Sequence, residues 1–335
     1  MSDSAPRVAV VALPWLDVLL EAVRPVEPRP VLPNLDRLAA RASRRVLEGS
    51  GWRSHLIAGL PFDAGVLARC PAGPCVAART VGVRPGVTWA CATPVHLAAG
   101  LDHLRLSPPE RLVLEPHEAA DIAGSLNAHF AGTGFEIPDA QGRHWLLRCP
   151  DGYAASTVEP GEAAGRDLRE CLPSGANGRT LMSLVNEIQM LLHDHPVNAQ
   201  RARSGRPPVN SLWPWGVGVA TRCSPLALPP LATDDAWLAG LWTVHGNDPL
   251  PLDGVDEAIG RGRGVHAAME WPPPVEPCAA LLALDEGLGA SLHQALDAGR
   301  IDEITLQAGG LALRKRRVDR WRIWRRPHSL LEACS

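Results

Sequence analysis

Between Leu191 and Gly218 the chain reads LLHDHPVNAQRARSGRPPVNSLWPWGVG, and most of its chemically useful side chains gather there in two groups. The first is His193, His195, Pro196, Asn198 and Arg201. With Pro196 as the first residue of a helix, the backbone N–H groups of Val197 and Asn198 are left free to face a phosphate or carboxylate, with His195 and Arg201 beside them. A plainer reading stays open: His195 and Asn198 cap and tie two helices. His193 and His195 have the spacing of a zinc pair. At a helix C-terminus followed by proline, however, their imidazoles diverge and complement the helix dipole, so no metal is expected there. The second group is Asn210, Trp213, Trp215, Gly216 and Gly218. A strand from Val209 to Trp215 running into Gly-x-Gly would deliver Asn210 and the glycine backbone to a strand end, where α/β proteins place ligands. Trp213 and Trp215 read as core or cleft wall. The expected ligand-binding set is therefore His193, His195, Asn198, Arg201, Asn210, Trp215, Gly216 and Gly218, with no catalytic or metal-ligating residue. Arg201 is expected on a helix surface, its guanidinium fork turned to the anion.

The elements that must hold these residues show in the hydrophobic pattern. VAVVAL, from Val8, is continuous and β-branched, as a buried parallel strand tends to be. The apolar stretch Val8 to Leu20 is interrupted by Pro14 and Asp17 and is too short to span a membrane, which favours a first strand over a signal segment. NLDRLAARASRR predicts a helix capped by Asn34, with Leu35, Leu38 and Ala42 on one face. A helix over Pro116 to Phe130 carries the stripe Ala119, Ile122, Ala123 and Leu126, and one from Arg179 to His193 buries Leu181, Leu184, Val185, Ile188, Leu191 and Leu192. Strand-like pieces lie at Val95 to Leu106 and His144 to Cys149. Near the C-terminus a helix over Asp285 to Ala298 is stopped by Gly299, and strands are expected over Glu303 to Leu306 and Val318 to Trp324. The segment Leu191 to Gly218 itself should fold as helix, tight bend, helix, strand.

With 335 residues, 46% of them hydrophobic, the chain can bury a large core. Its net charge of −3 supplies no global field for nucleic acid or membrane. Lys315 is the single lysine among 33 basic residues. Eight cysteines are scattered without a CxxC pair, which argues against a zinc ribbon or disulfide framework and suits free thiols in a reducing cytoplasm. Cys70 and Cys75 flank a turn that permits a disulfide without requiring one. The tail from Arg314 to Arg326 interleaves arginine with Trp321 and Trp324, a pattern of nucleic-acid-binding strands. It suits an edge strand guarded by arginines better.

The run His-Pro-Val-Asn…Arg…Asn-x-x-Trp-x-Trp-Gly-x-Gly resembles archaeal-type cofactor-independent phosphoglycerate mutases of the alkaline phosphatase superfamily. It resembles bacterial RpfE-type regulatory proteins more closely still. PNLDRLA from Pro33, Cys91-Ala-Thr-Pro-Val-His96-Leu, Asn127-Ala-His129-Phe130 and Arg148-x-Pro-Asp151-Gly continue the resemblance, which covers most of the chain from Val66 onward. It implies an α/β core sheet with helices on both faces and an inserted α+β domain: residues 1–90 as the first part of the core, 91–205 as the insert with its helices, and 206–335 as the second part of the core. Catalytic members hold divalent metals with an Asp ending the first strand, an Asp-His pair and a late Asp-Glu-x-x-His, with Ser or Thr as nucleophile. Here the first strand runs into Pro14-Trp15-Leu16-Asp17, so Asp17 is displaced into the following turn. After Gly218 there is neither Asp-Glu-x-x-His nor Asp-His, His245, His266 and His293 stand apart from any carboxylate at ligand spacing, and Asp285-Glu286 opens a helix where acids suit the dipole. The expectation is a cytoplasmic protein with a dismantled metal site, binding a small phosphorylated or carboxylate metabolite as a regulator. It needs no cofactor. The alternative is an active phosphoglycerate mutase-type isomerase, which would require manganese or zinc. A weaker alternative is a nucleic-acid-binding regulator that uses the C-terminal arginines. Oligomeric state stays open.

Overall fold

The computed structural model describes residues 6–47, 51–82, 85–99, 104–107, 112–164, 166–221, 223–261, 264–270, 275–321 and 328–334. Its strands are β1 (Val8–Leu13), β2 (Ser43–Val46), β3 (Thr88–Val95), β4 (Leu97–Ala99), β5 (Leu104–Leu106), β6 (Glu136–Asp139), β7 (Trp145–Cys149), β8 (Ser211–Val219), β9 (Leu231–Thr233), β10 (Val265–Ala268), β11 (Glu303–Ala308) and β12 (Leu311–Arg316). The chain is mixed α/β and divides into two compact units. One comprises Met1–Pro61, Leu226–Asp235 and Asn247–Ser335; the other comprises Phe62–Pro225 and Ala236–Gly246.

The first unit is built on a six-stranded sheet of order β2-β12-β11-β1-β10-β9. The expected first strand is β1, and it lies parallel to both β10 and β11, with β9 parallel to β10. Val11 and Leu13 of β1 pack with Leu16 and Leu20 of the helix Leu16–Val23, and with Leu35, Leu281, Leu284, Leu292 and Leu306, in one core. The helix expected at Asn34 starts at Pro33 and stops at Ala39, leaving Ala42 outside it. Its cap is not Asn34 but Asp285, whose carboxylate accepts the backbone N–H groups of Asn34 (3.0 Å) and Leu35 (2.7 Å) and the Asn34 side-chain amide (3.0 Å). Asp285 is thus a buried cap for a distant helix rather than a surface acid opening its own. At the C-terminal side Gly299 ends the helix Ala290–Asp297 with φ +67°. The second late strand falls earlier than expected, at β12, and a 3-10 turn, Arg317–Trp321, replaces the beginning of the expected Val318 to Trp324 strand. Asp319 forms that turn by accepting the Arg316 backbone N–H at 2.9 Å. The rest of that expected strand lies outside the described residues. The sheet edge on this side is β2, while Arg314 on β12 clasps Glu303 with two 2.6 Å hydrogen bonds.

The second unit holds an antiparallel sheet of order β6-β7-β3-β8. Along β3 the side chains alternate between two cores. Ala90 and Ala92 join Trp145, Leu147, Ile122, Leu181 and Ile188, whereas Trp89 and Cys91 join Val76, Leu146, Trp213 and Trp215. With both faces covered, every residue of β3 is buried. Helix Pro116–His129 starts in a capping box of Glu115 and Glu118, and Gly178–His193 follows the predicted stripe. The unit begins well before residue 91 and ends after 205 because its outer pieces are bound into the sheet. Thr88 pairs with Val219, and helix Ala72–Thr80 lies so close that a Cβ on Gly73 would come within 2.5 Å of the Trp89 backbone.

Candidate ligand site at the ends of the parallel strands

At the carboxyl ends of β9 and β10 the first unit gathers three acids and one base. β9 runs directly into Asp234 and Asp235, and β10 is followed by Met269 and Glu270. The hydroxyl of Thr233 donates to the Ala268 carbonyl at 2.8 Å and accepts the Asp235 N–H at 3.0 Å, which locks the two strand ends together. Trp15, just past the end of β1, donates its indole N–H to the Met269 carbonyl at 2.8 Å. From the helix Trp52–Ile57, Arg53 reaches into this edge. Its Nε donates to Asp235 Oδ2 at 2.7 Å, and its terminal nitrogen lies 2.6 Å from both Asp235 Oδ2 and Glu270 Oε1. Arg53 and Glu270 are 3% and 5% exposed and Asp235 is wholly buried, so these charges meet where water screens them little. The guanidinium also lies over the Trp52 ring, 4.5 Å from its centroid. Asp234 accepts the Glu270 N–H at 2.7 Å. Desolvation, followed by the charges of Glu270 and Asp235, pushes its carboxyl up to about 7.

This is the strand-end position to which α/β sheets bring ligands, and the sequence reading missed all four residues. Leu-Ala-Thr-Asp-Asp does carry a signal, a short apolar strand emptying into paired carboxylates. Arg53 carries none. Asp17 is exposed in the first turn of Leu16–Val23, accepting the Val18 N–H at 2.9 Å. His266 on β10 is buried, which lowers it to about 4 and keeps it neutral. His293, expected to stand apart, lies 3.4 Å from Asp297 one helical turn on.

The residues expected to bind a ligand lie in the second unit. The predicted order of elements is found there: helix Gly178–His193, a bend, helix Pro196–Arg203 with Pro196 in its first turn, then β8. Their side chains make separate contacts rather than one shared set. His193 is exposed, with Asp194 at 3.9 Å. His195 caps its helix by accepting the Val197 N–H, and its Nε2 meets the Ser125 hydroxyl at 3.0 Å. Burial lowers its pKa. Asn198 donates to the Leu192 and Val209 carbonyls and accepts the Val209 N–H, sewing the helix pair to the start of β8. Asn210 bonds both backbone groups of Leu97. Trp215 donates to Thr93 Oγ1 at 3.0 Å. Gly216, at φ +62°, and Gly218 are pressed against Ala72 and Pro71, where a Cβ would approach to 2.5 and 2.3 Å. Arg201 is not on a helix surface. It is 1% exposed, donating to Glu118 at 2.7 Å and to the Val113 and Pro207 carbonyls. Burial alone would raise Glu118, yet the Glu115 N–H and the charges of Arg201 and Arg206 hold it below the usual carboxylate range. A cavity of about 480 Å³ does open in this unit, lined by Tyr153, Ser156, Gly175, Gly218 and their neighbours. Of the expected set only Gly218 reaches it.

No family model matches the chain. It is 30% identical over 128 residues, 37% of its length and 32% of the relative's, to the 2,3-bisphosphoglycerate-independent phosphoglycerate mutase of Methanosarcina barkeri. It is 33% identical over 106 residues, 31% of its length and 27% of the relative's, to a probable enzyme of the same name from Geobacter sulfurreducens. The chain thus spans less than a third of either relative, and over that part the similarity supports homology to cofactor-independent phosphoglycerate mutases. Among solved structures, the cofactor-independent phosphoglycerate mutase of Thermoplasma acidophilum matches 92% of this chain and 89% of its own at 14% identity and a TM-score of 0.39. A Pyrococcus horikoshii protein matches 93% and 88% at 14% identity and a TM-score of 0.45. Among the described residues no helix is long and apolar enough to cross a membrane.

Proposed function

We propose that the chain is a phosphoglycerate-mutase-like protein in which an arginine stands where a divalent ion would gather carboxylates, and that it acts as a regulatory or binding protein for a small phosphorylated or carboxylate metabolite. The observation that carries this reading is Arg53 between Asp235 and Glu270. A hard cation such as Mg²⁺ or Mn²⁺ needs several oxygen donors converging at roughly 2.0–2.6 Å. Here the donors converge on a guanidinium instead, and a second cation within a few ångströms of it would face a repulsion that a buried site screens poorly. The strand-end residues therefore do not fit a hard metal as they stand, and no catalytic step is assigned to one. The resemblance to RpfE-type regulatory proteins and a reducing, cytoplasmic setting belong to the same reading.

The test compares wild type with Arg53→Ala in thermal-shift and mutase assays, with 3-phosphoglycerate and with excess Mn²⁺. The wild type is expected to be stabilised by the phosphorylated acid without Mn²⁺, since a ligand bound to the native state raises stability by mass action. It should neither respond to Mn²⁺ nor interconvert the phosphoglycerates. Arg53→Ala, with its carboxylates uncovered, should gain a Mn²⁺-dependent rise in midpoint. Wild-type turnover that depends on Mn²⁺ would establish the isomerase alternative and end this reading. Indifference of the wild type to every phosphorylated three-carbon acid tried would end its ligand half.

A further inference from the structure

A second group of ligating side chains lies wholly within the second unit. Helix Ala64–Arg69 ends at Cys70, which leads through Pro71 into helix Ala72–Thr80, so a tight corner presents the Cys70 side chain. Beside it the segment after β8 is pinned by Thr221, whose hydroxyl donates to the Arg69 carbonyl at 2.5 Å, and this delivers Cys223. His245 follows helix Ala236–Val244, which lies directly on the Cys75 backbone: a Cβ on Gly240 would meet the Cys75 carbonyl oxygen at 2.1 Å. The sulfurs of Cys70 and Cys223 are 2.7 Å apart, and His245 Nε2 is 3.6 Å from Cys70 Sγ. All three ligand atoms fall within 4.8 Å of one another. The other imidazole nitrogen, Nδ1, is 2.8 Å from the Ser224 carbonyl oxygen. That contact fixes the tautomer with its proton on Nδ1 and a lone pair on Nε2 facing the thiols. Phe62 packs at 5.6 Å against the imidazole ring. The Cys75 thiol does not pair with Cys70 but donates to its carbonyl oxygen at 3.5 Å.

Two thiols at such a separation are not independent: they share a proton, join as a disulfide, or share a cation. The imidazole decides between these, because a disulfide has no use for a third donor, whereas a carbonyl-oriented histidine facing two sulfurs is how metal-ligating histidines are held. We propose that Cys70, Cys223 and His245 form a site for a borderline-soft divalent cation of the zinc class. The two sulfurs and Nε2 supply three ligands, and a cavity of about 20 Å³ lined by Cys70, Cys75 and Cys223 is large enough for one water beside the sulfurs. Binding releases the two thiol protons, leaving two thiolates that balance the dication, so the loaded site is neutral and suits its burial. The sulfurs move apart on binding to accept metal–sulfur bonds of roughly 2.3 Å. Soft sulfur donors select against Mn²⁺, which keeps this site distinct from the carboxylates around Arg53.

The test is a titration of chelator-stripped, thiol-reduced full-length protein with Co²⁺, a spectroscopic stand-in for Zn²⁺. Stoichiometric binding with a thiolate-to-cobalt charge-transfer band, displaced by Zn²⁺, is expected. Cys223→Ser should abolish that band, and His245→Gln should weaken cobalt binding by ~10-fold or more, the scale of losing a metal-site partner. Zn²⁺ should raise the thermal midpoint of the wild type and leave that of Cys223→Ser unmoved, a readout that holds even where the variant is less stable. A reduced wild type with neither band nor Zn²⁺-dependent midpoint overturns the proposal. So does mass spectrometry of the protein as isolated that finds a Cys70–Cys223 disulfide which, once reduced, leaves thiols that bind no cobalt.

Discussion

Two buried guanidinium groups, one in each unit, invite comparison. Arg201 and Arg206 converge on the single carboxylate of Glu118, and Arg201 also donates to two backbone carbonyls. Arg53 instead serves two carboxylates, Asp235 and Glu270, with a third, Asp234, alongside. The first cluster has more cation than anion and lies between helices, where every polar atom named ties one chain segment to another. The second has more anion than cation and lies where parallel strands end. A buried arginine thus says little until its partners are counted. Excess of acceptors at a strand end marks a place built around positive charge, while an arginine divided among backbone carbonyls and one acid is a clasp.

The largest effect that sharpens this contrast is expected at Arg201. Removing one partner of a buried ion pair costs about 3–5 kcal/mol, because the other charge stays buried. Arg206 still reaches Glu118 from a half-exposed position, so Arg201→Ala should fall toward the lower end of that range, read as a shift in the urea midpoint. On a helix surface, where the sequence places Arg201, the same change would cost less than about 0.5 kcal/mol. If Arg201→Ala leaves the midpoint in place and weakens a phosphorylated ligand instead, the clasp reading is wrong and the anion site lies there after all.

Why the sequence misplaced Arg201 and overlooked Arg53 follows from what a local pattern can hold. β1, the helices Pro116–His129 and Gly178–His193, and the start of Pro196–Arg203 are each specified by periodicity or by a residue inside the element, and each appears where expected. The misread features depend on partners far along the chain. Asp285 caps a helix 251 residues away, Arg53 meets Glu270 across 217, Arg201 meets Glu118 across 83, and Cys70 meets Cys223 across 153. An arginine on an apparently polar helix looks exposed until the acid that buries it is known. Cysteines without close spacing look unrelated until the fold joins them. Asp234 and Asp235 were missed too, although they carry a local signal, since two acids directly after a short apolar strand mark a strand end.

A smaller effect probes the acid excess around Arg53 through pH. The Asp234 carboxyl sits at about 7 in the folded chain against an ordinary carboxylate value of 3.8. A raised acid binds more protons folded than unfolded between those values, so its contribution to stability is fully present below about pH 4 and is lost as pH rises to about 7. His266, lowered to about 4, runs the other way: its contribution is present above the ordinary imidazole value of 6.5 and is lost as pH falls toward 4. Asp234→Asn should therefore flatten the loss of thermal midpoint as pH rises from about 4 to about 7, and leave the His266-linked loss as pH falls intact. An unchanged profile from pH 4 to about 7 would mean that neither burial nor its neighbours' charge raises Asp234, and the strand-end cluster would lose its claim to an acid excess.

The smallest effect closes the comparison from the other side. His193 stands in the same stretch as Arg201, at the end of helix Gly178–His193, but its side chain is 84% exposed and its nearest acid, Asp194, is 95% exposed. An ion pair in that setting is screened by water and offset by side-chain entropy, and a histidine in a last helical turn adds only the dipole contribution, about 0.3–1 kcal/mol when protonated. His193→Ala should shift the unfolding free energy by less than about 0.5 kcal/mol. Whatever part of that loss comes from charge should shrink further in high salt. A large, salt-insensitive loss would show that His193 is held by something as firmly as Arg201 is. The stretch from Leu191 to Gly218 would then have to be read as one cooperative site rather than as a buried clasp beside a solvated helix end.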